Sequence, residues 1–190
     1  MARIRAAWRH RPRSGLLLFF DEQPIAVKAY GGRCYTSARH LEVPRNQKTR
    51  GFFYLFGFYE VNRGRVRWAF YRQKNAAKVA SALRRLRRWY PTQKIWVILD
   101  QDSAHPRKAR LTRKVMRELQ LHWISLPKRS PNDNPLETLF SDLQQMVLDA
   151  SNDPDARTTQ RRISAHWRNR NRRKDRFIHI PYLQRDSHKS

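Results

Sequence analysis

Apolar residues recur with two different periods along this chain, and the two periods predict a mixture of strands and helices. The first apolar run, at residues 15–20, is typical of a buried strand and stops at Asp21. Half-exposed strands are predicted next at 25–30 and 33–37, with a turn at Gly31 and Gly32 between them. The chain therefore opens on strands.

An aromatic segment at residues 51–59 continues the strand pattern. Residues 62–64 form a predicted turn, and 66–71 are the predicted hairpin partner of the aromatic segment. From 75 to 90 the apolar residues take helical spacing, and Pro91 ends this helix.

The second half of the chain alternates strands and helices. A strand at residues 95–99 ends in Asp100, a basic helix follows at 107–119, and another strand is predicted at 121–126. After a proline-rich loop, a helix begins near Leu136, with a predicted core face made of Leu139, Phe140, Leu143, Met146 and Val147. The predicted order has strands in the first half of the chain and alternating strands and helices in the second half. This order predicts an α/β fold, with a mixed sheet flanked by helices.

Changes in composition divide the chain into three predicted parts. Residues 1–14 form a loose basic arm, 15–150 the main domain, and 151–190 a basic C-terminal extension. The arginine-rich segment 157–176 has two interpretations, a solvated helix or a helix that contacts phosphates. Its density of arginine favours the second.

Charge narrows the choice of partner. The net charge is +26, and a chain this basic repels itself unless a polyanion is near. Nucleic acid fits best, because no long amphipathic helix with a clean apolar face indicates membrane binding. The single Cys34 fits a reducing compartment, and the apolar run at 16–20 is too short for a signal peptide. We therefore expect a soluble cytoplasmic protein with no membrane association.

Two carboxylates follow apolar strands, at Asp21 and Asp100. Carboxylates that converge at one edge of a sheet repel each other unless a cation lies between them, and hard oxygen ligands favour Mg²⁺ or Mn²⁺. Two such ions about 3.5–4 Å apart support phosphodiester cleavage. Each aspartate alone is more typical of a turn or a helix cap than of a metal ligand.

Glu137 has a simple structural explanation of its own. In the sequence Asn134-Pro135-Leu136-Glu137, the asparagine is a suitable N-cap and the glutamate a suitable third helical residue. A helix start also fixes the direction of a carboxylate, so the capping and metal-binding interpretations are compatible. The residues alone thus support a metal-dependent nuclease and no narrower function.

Two longer motifs carry a family resemblance. Residues 96–105 read WVILDQDSAH, and residues 124–137 read ISLPKRSPNDNPLE, with 36 residues between Asp100 and Glu137. Together with Phe19-Phe20-Asp21-Glu22, these motifs resemble the DDE transposases of the mariner superfamily, particularly bacterial insertion-sequence members. The resemblance covers about residues 15–150 and implies an RNase H-like fold.

The resemblance also implies roles for particular residues. Asp21, Asp100 and Glu137 are the expected catalytic carboxylates and metal ligands, for two Mg²⁺ or Mn²⁺ ions, whereas Glu22 is not a ligand. His105 is a candidate for holding a metal ligand in place or for contacting the scissile phosphate. The alternative is that it is simply a histidine at the start of a helix, with no role in the site. The candidate DNA-binding residues are Lys128, Arg129, Arg161, Arg162, Arg168, Arg170, Arg172 and Arg173.

The sequence also departs from the family pattern. Gln101 replaces a usual asparagine, Asp102 adds an acid that competes with Asp100 as a ligand, and Thr138 replaces a frequent basic residue. Fourteen residues before the first strand are too few for the family's helix-turn-helix region. The implied chain is a catalytic half, joined to a separately encoded DNA-binding half, or a decayed copy.

Three functions compete at this level. The first is DNA strand cleavage and strand transfer during transposition, by a homodimer on double-stranded DNA (the transposon ends and the target), associated with a bacterial nucleoid. The second is a stand-alone nuclease of the same fold. The third is a non-catalytic, basic DNA-binding remnant.

Overall fold

A five-stranded mixed sheet forms the centre of the protein. The computed structural model describes residues 1–28, 48–105, 107–127, 133–149 and 151–183. The sheet order is β3-β2-β1-β4-β5, with strands β1 (Leu16–Val27), β2 (Gly51–Glu60), β3 (Arg65–Tyr71), β4 (Ile95–Leu99) and β5 (Leu121–Ser125). β1 runs antiparallel to β2 and parallel to β4, which confirms the predicted mixed sheet.

Strand β1 is longer than the apolar run predicts. It continues through Asp21 to Val27, so the predicted strand end at Asp21 and the separate strand from residue 25 are both wrong. Only Leu16–Phe19 pairs with β4, whereas the rest of β1 pairs with β2 alone. Pro24 is tolerated because this half of the strand has one free edge among the described residues. The predicted strand at 33–37 and its glycine turn lie outside the described residues.

The predicted hairpin is confirmed. β2 and β3 pair antiparallel, with Tyr59 opposite Val66. Gly64 in the connecting turn has a φ of +63°, a left-handed conformation that glycine adopts without steric cost.

The helices cover both faces of the sheet. Helices α2 (Ala76–Trp89) and α3 (Arg110–Glu118) pack on one face, against the alternate β1 residues Leu18 and Phe20. Helices α4 (Pro135–Leu143) and α5 (Ala156–Arg172) pack on the other face, against Leu17 and Phe19. Because successive strand residues point to opposite faces, a strand that is apolar throughout is buried on both sides.

The two ends of the described chain are more ordered than the sequence predicts. Residues 2–10 form helix α1 (Ala2–His10), in which Ile4 is buried in the same core cluster as α4 and α5, so the expected loose arm is wrong. Helix α5 contributes Ile163 and Trp167 to that cluster. The three-part division of the chain itself stays a prediction.

One predicted core residue lies on the surface. Met146 is 68% exposed, whereas Val147 is buried. Helix α4 passes into a π-helical turn at Gln144–Leu148, in which the amide of Asp149 bonds to the carbonyl of Gln144. A wider turn changes which residues face the sheet, so the 3.6-residue period fails there.

Within the described residues, no helix is both long enough and apolar enough to cross a bilayer.

We expect Trp167→Ala to destabilise the whole domain. The indole is fully buried and contacts Trp68 edge to face with a centroid distance of 5.6 Å. Removing a buried aromatic side chain typically costs about 3–5 kcal/mol. Urea unfolding should show this loss, whereas the exposed neighbour Arg168→Ala should change stability by less than about 0.5 kcal/mol. A loss below about 1 kcal/mol for Trp167→Ala would mean that α5 is not part of the cooperative core.

Candidate active site

Asp21 lies in the middle of β1, where the sheet meets helix α4. Its Oδ2 accepts a hydrogen bond of 2.8 Å from Asn134 Nδ2, and its Oδ1 accepts one of 2.8 Å from the amide of Glu22. The opposite residue in β2 is Gly57. A Cβ at that position would lie 2.9 Å from Leu136 Cδ2, so a larger residue there would force the Leu136 side chain of α4 to shift.

Asn134 serves both the helix and the aspartate. Its side-chain oxygen accepts from the amide of Leu136 at 3.1 Å, so it is the N-cap of α4, with Pro135 as the first helical residue. This confirms the predicted cap. Because its Nδ2 holds Asp21, a single side chain fixes the start of α4 relative to β1. Glu137 lies in the first turn of α4, so the fixed helix start also fixes the position of its backbone. Its side chain remains exposed.

The negative charges of the other two predicted carboxylates act on Asp21. The pKa of Asp21 is raised from its usual value of 3.8 to about 7, chiefly by burial and then by the negative charges of Glu22, Glu137 and Asp100. No ion pair between described residues involves Asp21. Asp21 is therefore an acid whose ionised form lacks a neutralising partner within the described part of the chain.

Asp100 follows β4 and is held by His105. The distance from His105 Nδ1 to Asp100 Oδ1 is 2.6 Å, and the other ring nitrogen, Nε2, lies 3.0 Å from Glu22 Oε1. Burial disfavours a charged imidazole, but the hydrogen bonds to Asp100 and Glu22 outweigh it and raise the pKa of His105 to about 10. The hydrogen bond from His105 lowers the pKa of Asp100. The histidine is thus a protonated link between two carboxylates.

Glu22 and Lys74 belong to this arrangement although the sequence assigned neither a role there. Glu22 is buried on the face of β1 opposite Asp21, and Lys74 Nζ lies 3.7 Å from its Oε2. The sequence signal for Glu22 was its place beside Asp21 in a buried strand. Lys74 carries no local signal, because only the fold brings residues 22 and 74 together.

The additional acid Asp102 is occupied by other partners. Its Oδ2 lies 3.2 Å from Lys74 Nζ, and its Oδ1 accepts from the amide of Ala104 at 2.8 Å. Its own amide donates to Asp100 Oδ1 at 3.0 Å. Asp102 therefore helps to shape the loop that carries Asp100.

The donor set suits a hard divalent cation. Within the described residues, no three His, Cys, Asp or Glu side chains form a ready metal cluster. Asp21, however, is an unneutralised carboxylate close to the charges of Asp100 and Glu137, and the Asp100 side chain is 52% exposed. A cation among these oxygens would remove the repulsion that raises the pKa of Asp21.

The predicted DNA-binding arginines of α5 and its C-cap fall into two groups. Arg161, Arg168 and Arg172 are exposed on the helix. The other three bind protein groups: Arg162 to Asp153 at 2.9 Å, Arg170 to the Gly64 carbonyl at 3.0 Å, and Arg173 to Asp175 at 2.8 Å. Lys128 and Arg129 lie outside the described residues.

Comparison with known proteins supports the same fold and family. Residues 16–160 match the sequence model of the family described as DDE superfamily endonuclease. The catalytic domain of Mos1 mariner transposase superposes with a TM-score of 0.65 at 15% identity, over 96% of this chain and 80% of that chain. The Mos1 paired-end complex with the left transposon end gives 0.66 at 15%, over 96% and 54%. A simian T-cell lymphotropic virus intasome in complex with PP2A regulatory subunit B56 gamma gives 0.53 at 11%, over 77% and 46%.

No curated protein sequence is significantly similar to this chain. At 15% identity the structural likeness concerns the fold, and it confirms the predicted RNase H-like α/β architecture. The chain spans about half the length of the Mos1 chain in the paired-end complex. Because the family match extends over most of the sequence and contains Asp21, Asp100 and Glu137, the chain belongs to the DDE superfamily endonuclease family.

Proposed function

We propose that this chain is a transposase catalytic domain that cleaves DNA strands and transfers them to target DNA. The observation that carries the proposal is the position of Asp21 on the central strand, where Asn134 links it to the start of α4, the helix of Glu137. Burial raises the pKa of this aspartate, and the charges of Glu22, Glu137 and Asp100 raise it as well. Carboxyl groups with a raised pKa and other acids nearby are typical of sites for metal-assisted phosphodiester chemistry.

The reaction consists of two displacements at phosphorus. In the first, water attacks the phosphodiester and the bond from phosphorus to the 3′-oxygen breaks. The water loses a proton to solvent and the departing oxygen takes one up, which leaves a 3′-hydroxyl and a 5′-phosphate. In the second, that 3′-hydroxyl loses its proton as it attacks a target phosphodiester, and the displaced 3′-oxygen of the target takes a proton up. Bound Mg²⁺ or Mn²⁺, in two sites, would lower the pKa of the attacking oxygen and stabilise the leaving one.

The residues of the chain supply positioning. Asp21, Asp100 and Glu137 would hold the ions. Asn134 fixes Asp21 by a hydrogen bond. His105 fixes Asp100 and is itself held by Glu22. Asp21 and Asp100 each have two hydrogen-bond partners, which limits the rotation of these two side chains and favours a pre-organised site. Mos1 catalytic-domain structures with Mg and with Mn support the choice of metal.

The partner in this proposal is double-stranded DNA at transposon ends and target, bound by a homodimer, with a separately encoded DNA-binding half. The bacterial cytoplasm, at the nucleoid, is the matching location. On α5, the exposed arginines that recur at helical spacing are the candidate phosphate contacts: Arg157, Arg161, Arg168 and Arg172. A stand-alone nuclease would cleave without joining ends, so a strand-transfer assay separates it from a transposase.

We expect Asp100→Ala to abolish metal-dependent cleavage of a labelled DNA duplex, by on the order of 100-fold or more, while DNA affinity stays nearly unchanged. Reactions with Mg²⁺, Mn²⁺ or EDTA measure the metal requirement. Glu118→Gln, which removes a distant exposed acid, is the control and should cleave normally. Cleavage by Asp100→Ala at the wild-type rate would contradict the site. Binding without cleavage in any metal would favour a DNA-binding remnant.

Asp21→Asn should stabilise the metal-free protein at neutral pH. The folded-state pKa of Asp21 is raised from 3.8 to about 7. Its stabilising contribution is therefore fully present below about pH 4 and is lost as the pH rises to about 7. The asparagine variant avoids a loss on the order of 1–3 kcal/mol, measurable by urea unfolding at pH 5 and pH 8. Mn²⁺ should stabilise the wild type and not the variant; equal stabilisation of both would exclude Asp21 as a ligand.

Replacing Arg157, Arg161, Arg168 and Arg172 by glutamine should weaken DNA binding and flatten its salt dependence. Each lost phosphate contact lowers the slope of log K against log salt by about 0.9. Fluorescence anisotropy from 50 to 300 mM salt (roughly the range where the effect is large) measures both quantities. Arg173→Gln is the matched control, because its guanidinium already pairs with Asp175. An unchanged slope in the fourfold variant would assign the helix to a solvated surface.

A further inference from the structure

The outer surface of helices α2 and α3 is strongly cationic. The two helices contact each other and cover the same face of the sheet. Seven cations of the two helices are exposed, and one of them, Arg113, donates to the carbonyl of Arg107 at 2.9 Å. We call the surface formed by the other six the α2–α3 face: Arg84, Arg85, Arg88, Arg110, Lys114 and Arg117.

The α2–α3 face has almost no acidic residues to balance its charge. Glu118 is the one carboxylate in either helix, and it lies 3.8 Å from Lys114. No ion pair between described residues involves Arg84, Arg85 or Arg88. Like charges this dense on neighbouring helices destabilise a free protein, so a bound polyanion would relieve a cost that already exists.

These arginines are not needed to hold the fold together. Arg87 shows what a structural arginine of the same helix does: its guanidinium donates to the carbonyls of Leu119 at 2.8 Å and Gln93 at 2.8 Å. Arg85 instead lies over the Trp89 ring, 5.4 Å from the centroid. The indole restricts the rotation of this guanidinium without using its donors, which leaves them available to an anion.

The α2–α3 face is on the opposite side of the sheet from α5. Helices α2 and α3 pack against Leu18 and Phe20, whereas α5 belongs to the cluster of Leu17 and Phe19. Duplex DNA is stiff, with a persistence length of about 50 nm, and does not wrap around a single domain without a large bending cost. One duplex segment therefore does not reach both surfaces.

We propose that the α2–α3 face binds the phosphate backbone of a second DNA duplex, distinct from the duplex contacted by α5. This inference rests on the proposed function and deepens it, since it gives one protein molecule two separate DNA surfaces. An anionic membrane is a poorer partner, because Leu111 is the one large apolar side chain exposed on these helices and offers little area for insertion.

The test is capture of one duplex by another. Protein is bound to a bead-immobilised duplex, and retention of a second, fluorescent duplex is measured for the wild type and for the triple variant Arg84→Gln, Arg88→Gln, Arg117→Gln. We expect the variant to bind the immobilised duplex within about threefold of the wild type and to lose capture of the second duplex tenfold or more. The matched control is Arg5→Gln, which removes an exposed positive charge from α1, outside both α5 and the α2–α3 face.

Three outcomes would overturn the inference. Undiminished capture by the triple variant would show that the α2–α3 face binds no duplex. Binding to anionic phosphatidylglycerol vesicles that depends on the same arginines, with duplex capture unchanged, would assign the face to a membrane. Failure of the wild-type protein to bind even the immobilised duplex would contradict the proposed function as well, and this result differs from a selective loss of capture.

Discussion

Two adjacent acids on the central strand, pointing to opposite faces of the sheet, are the constraint around which the site is built. Glu22 is buried on the α2 side, where His105 and Lys74 offset its charge. Asp21 faces α4, where Asn134 and one amide supply hydrogen bonds but no positive charge. The buried pair therefore leaves one carboxylate neutralised and the other available to a cation.

The neutralised acid, Glu22, supports the predicted metal ligand Asp100 through His105. This protonated histidine lies between Glu22 and Asp100, so the buried glutamate fixes an exposed carboxylate that it does not touch. A carboxylate that supports a site through an intervening imidazole is a common way to limit movement of a ligand. On the other face, Gly57 and Asn134 play the corresponding part for α4, by close packing and by capping.

Helix α5 combines a structural and an electrostatic function. Its buried side fills the core with Trp167, and Asn171 exchanges two hydrogen bonds of 2.9 Å with the backbone of Val66, as a neighbouring strand would. At Val66 the outer edge of β3 is therefore already paired and is not open to another strand. The exposed side carries arginines, so one helix protects the sheet and adds positive charge on the face opposite α2 and α3.

The sequence by itself determined the elements whose pattern is local. The buried strands, the hairpin, the cap at Asn134 and the motifs of Asp100 and Glu137 follow from period and spacing, because these depend on nearby residues. Tertiary structure alone decided how far β1 extends past Asp21, since pairing with β2 outweighs a break in the apolar run. It also decided the partners of Glu22, because residues 74 and 105 reach it only after the sheet and its helices have assembled.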